Sequence, residues 1–172
     1  MGQPGWFFCA SCCGMNFPGD TNLPKEQRPG KCIAGDSFAG KHREISFEFE
    51  LPFNPHDPAN TGQPNWFFCN KCTSMFFASP GDDPLQVTGV CHAGGQHDRG
   101  GTSLNFVLPH DLPGSLGPGV QRGWSFCAKC SGLVFFGDSA QAGRCPAGDA
   151  HVKQGFDFFL QHNDFFLKEV SL

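Results

Sequence analysis

Trp66-Phe67-Phe68-Cys69-Asn70-Lys71-Cys72 decides how this chain is read, because the phrase occurs three times. Trp6-Phe7-Phe8-Cys9-Ala10-Ser11-Cys12 precedes it and Trp124-Ser125-Phe126-Cys127-Ala128-Lys129-Cys130 follows it, the tryptophans lying 60 and 58 residues apart. An apolar stretch comes next at matching offsets: Met15-Asn16-Phe17, Met75-Phe76-Phe77 and Leu133-Val134-Phe135. A third cysteine then opens Cys32-Ile33-Ala34-Gly35, Cys91-His92-Ala93-Gly94 and Cys145-Pro146-Ala147-Gly148. Each unit closes on an aromatic stretch, Phe47 to Leu51, Leu104 to Leu108 and Phe156 to Leu160. Agreement at so many offsets predicts a threefold internal repeat. The units are 3–61, 62–119 and 120–172, together making a single domain over 1–172.

The segments between the turns predict strands. The 172 residues include 23 glycines and 14 prolines, well above average use, and 20 phenylalanines but no tyrosine. Short runs rich in Phe, Val and Ile between glycines and prolines suit a pleated, half-buried surface. Phe47-Glu48-Phe49-Glu50-Leu51 alternates with period two, as a strand with one wet face does. The expected fold class is all-β, with four strands per unit, in the second unit Trp66–Cys69, Ser74–Phe77, Val87–Cys91 and Leu104–Leu108. Composition excludes a coiled coil or a long helical bundle. A net charge of −4 gives no basic footprint for nucleic acid. No apolar run reaches the ~18 residues of a membrane span, and Met1-Gly2-Gln3-Pro4 lacks the basic start of a signal peptide. A cytoplasmic protein is expected.

Nine of the ten cysteines fall three to a unit, leaving Cys13 over. An odd number per unit fits disulfides badly. Histidine supplies a fourth ligand: His97 lies six residues after Cys91, and His151 six after Cys145. Phe38 holds that place in the first unit, but His42 stands seven before Phe49, as His151 stands seven before Phe158. An insertion in the loop accounts for the offset. The ligand sets are then Cys9, Cys12, Cys32 and His42; Cys69, Cys72, Cys91 and His97; Cys127, Cys130, Cys145 and His151. Three thiolates and one imidazole favour tetrahedral zinc over hard cations. A closed four-ligand site is structural, since no position remains for water or substrate. It also stabilises small units with little core of their own. Three structural Zn2+ ions are expected, with redox dithiols or an iron–sulfur centre as the alternatives.

The opening Trp-x-x-Cys-x-x-Cys, with Asn16 after it in the first unit, resembles the start of RanBP2-type zinc fingers, which bind RNA or ubiquitin. Those fingers end on a second Cys-x-x-Cys, where this chain has Cys and then His. At the level of architecture, three units of four short strands resemble the β-trefoil. That resemblance implies a closed six-stranded barrel of first and fourth strands, with the middle hairpins as a cap. Phe47, Phe49, Phe106, Phe158 and Phe159 carry too much apolar surface for independent beads, which favours closure. Three small zinc-bead β-domains in a row are the alternative.

A second histidine set remains: His56-Asp57, His110-Asp111 and His162-Asn163-Asp164. Leu108 to His110 and Leu160 to His162 are equal offsets. If the units close around an axis, these imidazoles converge, and three histidines with an open position could hold a fourth metal and an activated water. Asp57, Asp111 and Asp164 would orient the rings. Against this, His-Asp after a strand is an ordinary polar turn that repeats copy without chemical reason. Two functions follow as expectations. One is a zinc-stabilised binding module for a small molecule, sugar or protein. The other is a small lyase, hydrolase or cyclase whose catalytic residues are His56, His110 and His162 with their aspartates, acting on an apolar or aromatic molecule. No Gly-x-Ser-x-Gly, phosphate loop or dinucleotide fingerprint is present.

Overall fold

The computed structural model describes residues 2–19, 22–58, 61–78, 89–100, 104–111 and 119–166, without the side chains of Ser46 and residues 164–166. Three hairpins of barrel strands organise them. In the first, β1 (Gly2–Cys9) pairs antiparallel with β3 (Glu44–Pro52) and β2 (Met15–Asn16) lies on the other side of β1. In the second, β4 (Gln63–Phe68) lies between β5 (Met75–Phe77) and β6 (Phe106–Leu108). In the third, β7 (Val120–Cys127) lies between β8 (Leu133–Phe135) and β10 (His151–Phe166), and β9 (Gln141–Ala142) adds to β10. Only two short 3-10 turns, Lys25–Gln27 and Asp36–Phe38, interrupt the strands among the described residues.

The hairpins join edge to edge into a nearly closed, barrel-shaped sheet. Strand β10 pairs with β3 at His162–Phe49, while single bridges join Phe53 to Phe106 and His110 to Phe158. Further bridges tie the short strands together at Asn16–Ser74, Phe76–Gly132 and Gly14–Val134. Each hairpin thus contacts the other two.

One core runs through the three hairpins. Trp6, Trp66 and Trp124 are fully buried with Met15, Met75 and Leu133. Phe49, Phe106 and Phe158 form the next set, and Leu51, Leu108 and Leu160 the last. Each tryptophan meets a phenylalanine of another hairpin edge-on: Trp6–Phe106 at 5.4 Å, Trp66–Phe158 at 5.3 Å and Trp124–Phe49 at 5.4 Å. Such pairs add about 0.5–1.5 kcal/mol beyond area burial. The indole N–H is satisfied locally, donating to Gln3, Gln63 or Gln121 three residues earlier.

The expected strand Val87–Cys91 needs correcting where it can be followed. Val87 and Thr88 lie outside the described residues, and 89–91 form no strand. Cys91 instead opens a tight turn in which Gly94 N–H donates back to the Cys91 carbonyl at 2.9 Å. A ligand loop replaces the strand.

Candidate metal centres

The Cys-x-x-Cys phrases sit where β1, β4 and β7 end. In each, the backbone turns back through a left-handed residue: Cys13 at φ 68, Thr73 at φ 65 and Ser131 at φ 66. The N–H of that residue donates to the carbonyl of the first cysteine at 2.9 Å in all three. This closes a helical turn that aims both thiols to one side, and the αL residue releases the chain into the next strand. Cys13 is thus a turn residue beside Cys12, half-buried. The third cysteine arrives on the following loop, as do His42 and His97, whereas His151 is the first residue of β10.

Cys9, Cys12, Cys32 and His42 come together, as do Cys69, Cys72, Cys91 and His97, and Cys127, Cys130, Cys145 and His151. All twelve residues are buried, and within each group the candidate ligand atoms lie within 4.8 Å of one another. The first and third thiols are 4.0, 3.8 and 3.9 Å apart. The second thiol lies 3.6, 3.6 and 3.5 Å from the histidine Nδ1. Tetrahedral zinc with bonds of about 2.3 Å to sulfur and 2.0–2.1 Å to nitrogen puts sulfurs about 3.8 Å apart and sulfur and nitrogen about 3.6 Å apart. The groups are compatible with zinc. All ten cysteines are free thiols, so no disulfide competes for these ligands.

The surroundings favour thiolate. Backbone N–H groups of Arg43, Asp98 and Lys129 donate to Cys9, Cys69 and Cys127 sulfurs at 3.3–3.4 Å. Hydrogen bonds from Cys12, Cys72 and Cys130 hold those same three thiols well below the usual thiol range, and the donors themselves are pushed up. Burial pulls the imidazoles down, but the neighbouring thiolates outweigh it and raise His42 to about 10 and His97 and His151 to about 9. A divalent cation would stabilise the thiolate form of these buried sulfurs.

The far ring nitrogen links one group to the next. His42 Nε2 meets the Cys72 carbonyl at 2.9 Å, and His97 Nε2 meets the Cys130 carbonyl at 3.1 Å. With Nδ1 given to a metal, Nε2–H is the donor, an outer bond that fixes ring orientation. The third link is missing: His151 Nε2 is buried with no hydrogen-bond partner among the described residues. His92, which has no counterpart in the other units, packs edge-on against His42 at 5.1 Å and accepts the Ile33 N–H through Nδ1 at 2.9 Å. Burial first, and then the positive His42, His151 and His97, push it down to about 2. It is a neutral core histidine, and no sequence pattern marked it as such.

The second histidine set does not assemble as expected. Two residues beyond the core leucines Leu51, Leu108 and Leu160 stand Phe53, His110 and His162, and these three occupy matching bridges to Phe106, Phe158 and Phe49. Phe53, not His56, is the counterpart in the first hairpin. His56 is exposed, its backbone N–H donating to Asn54 Oδ1 at 3.2 Å, and Asp57 turns back onto the Asn54 carbonyl. His110 stacks on Phe156 and His162 on Phe47, each at 3.7 Å. His110 Nδ1 meets Asp111 Oδ2 at 3.0 Å, whereas His162 Nδ1 meets the Asn163 carbonyl at 3.1 Å. The side chain of Asp164 lies outside the described residues. Among those residues, only the three Cys3His groups gather three or more potential ligands, so no fourth metal group forms there. The His110 ring packs on Phe156 of β10 and the His162 ring on Phe47 of β3.

The molecule is therefore an all-β chain with a nearly closed barrel-shaped sheet and three buried, metal-compatible Cys3His groups. No helix among the described residues is long and apolar enough to cross a membrane. Comparison with known protein families, with curated proteins and with solved structures finds no match for the chain.

Proposed function

We propose that this protein is a zinc-stapled binding module: a single domain of three β-trefoil-like repeats, 3–61, 62–119 and 120–172, each held by one structural Zn2+. The spacing of sulfur and nitrogen in the three groups carries this reading, because it matches tetrahedral zinc in all three. The cyclic bridges at Asn16–Ser74, Phe76–Gly132 and Gly14–Val134 support the threefold arrangement. Burial of every ligand supports a structural role, since a catalytic ion keeps a position open to water. Nine thiolates reserved for metal need a reducing compartment, and we place the protein in the cytoplasm on that ground.

Metal analysis of the purified chain tests the reading. Three zinc ions per chain are expected, and strong chelation should abolish the cooperative thermal transition. A metal-free chain that keeps its transition contradicts it.

A further inference from the structure

The barrel wall between the second and third hairpins carries an open cavity of about 350 Å³, which no metal group uses. Four phenylalanines, Phe77, Phe126, Phe156 and Phe158, make its apolar walls. Three of them are fixed from behind. Phe77, Phe126 and Phe158 meet the buried Trp66 at 5.5, 6.4 and 5.3 Å. Phe156 is held by the ring of His110 at 3.7 Å and 12°, yet stays 39% exposed, so a face remains for a ligand.

The polar lining consists of Gln63, Ser131 and Gln154. Gln63 Oε1 accepts the Trp66 indole N–H at 3.2 Å, leaving its amide NH2 as a donor. Gln154 is exposed, and as an amide it both donates and accepts. Gly155 stands at the rim with φ 79, and a Cβ there would meet nothing within 4 Å, so the entrance is open. Gln154 is also where the hairpins differ. It pairs opposite Phe126 in the register, while Ile45 stands opposite Phe8 in the first hairpin. Among the described residues, none of those lining the cavity is charged.

We infer that this cavity binds a neutral, planar, one- or two-ring aromatic molecule bearing a carboxamide or lactam group. The inference rests on the reading of the chain as a binding module. The ring packs on the phenylalanine walls, which favour edge and offset contacts with another aromatic system. The amide edge pairs with the side-chain amides that line the same cavity. A charged ligand is disfavoured because nothing in the described lining would pair its charge. The volume lies within the roughly 300–1,000 Å³ of small-molecule pockets.

The probe is 2-naphthamide, titrated into the full chain and followed by backbone-amide NMR, with 2-naphthoate and cyclohexanecarboxamide as comparisons. Resonance shifts centred on Gln154, Gly155 and Phe156 are expected, with 2-naphthamide bound at least about tenfold more tightly than either comparison. Phe156→Ala should weaken it about tenfold, whereas Phe38→Ala, on the remote 3-10 turn, should leave it unchanged. Equal binding of the naphthoate, shifts centred elsewhere, or no shifts at all would overturn the inference. Zinc content and amide dispersion of the same sample are read independently. A folded chain without zinc defeats the stapling alone, and the cavity is still judged on its own shifts.

Discussion

The two ends of the barrel are built under different rules. At the metal end, the three hairpins carry the same four ligand types, and their interatomic spacings agree to within 0.2 Å. At the other end, the matching bridges are filled by Phe53, His110 and His162, with His110 stacked on Phe156 and His162 on Phe47. Coordination of a metal would fix donor type, distance and direction at once, which leaves few residues that can serve. Ring packing asks only for a flat surface of the right size, and imidazole or phenyl satisfies it. The difference teaches that recurrence of histidine alone does not gather a ligand group, whereas here its recurrence with cysteine does.

The largest expected effect breaks the metal end. Cys69→Ser should leave fewer than three zinc ions per chain and cost more than about 4 kcal/mol in denaturant unfolding. Next comes the shared core, where Phe106→Ala removes the partner that meets Trp6 and Phe53. It should cost about 3–5 kcal/mol with the zinc count unchanged. A loss of zinc in that variant would mean that the two ends are not separable.

The third prediction sharpens the comparison within the metal end. His42 and His97 each have a carbonyl acceptor behind the ring, and His151 has none among the described residues. Loss of such an outer partner costs about 10–100-fold in metal affinity. Under a limiting chelator, Cys127, Cys130, Cys145 and His151 should therefore give up their ion first, as followed by native mass spectrometry of site-specific cysteine labelling. Simultaneous release from all three groups would contradict the missing link. The smallest effects belong to the far end. His110→Ala and His162→Ala should each cost no more than about 1.5 kcal/mol, the worth of one stacked ring. His56→Ala, on an exposed turn, should stay within about 0.5 kcal/mol. All three variants should retain three zinc ions.

Residues whose role is set by chemistry were legible in the sequence, and those placed by register were not. The twelve ligand residues could be picked out because thiol and imidazole have few other reasons to recur together. Even the displaced His42 was recoverable, since its distance to Phe49 matches that of His151 to Phe158. The same habit of matching residue types misled at the other end, where His56 was aligned with His110 and His162. Counting from the buried leucines gives Phe53, and burial of Leu51, Leu108 and Leu160 is what fixes that count. The cavity was invisible for a different reason. Phe77, Phe126, Gln154 and Phe156 come from β5, β7 and β10, and only the closure of the barrel brings them to one place. At 89–91 the chain forms no strand, and Cys91 instead opens a tight turn that brings its sulfur to Cys69.

X-ray absorption at the zinc edge, on the chain purified under reducing conditions, tests the central claim most directly. The account predicts one uniform environment of three sulfurs at about 2.3 Å and one nitrogen at about 2.0–2.1 Å, with three zinc ions per chain by parallel metal analysis. A shell containing oxygen, a different sulfur number, or a chain that folds without zinc would contradict it.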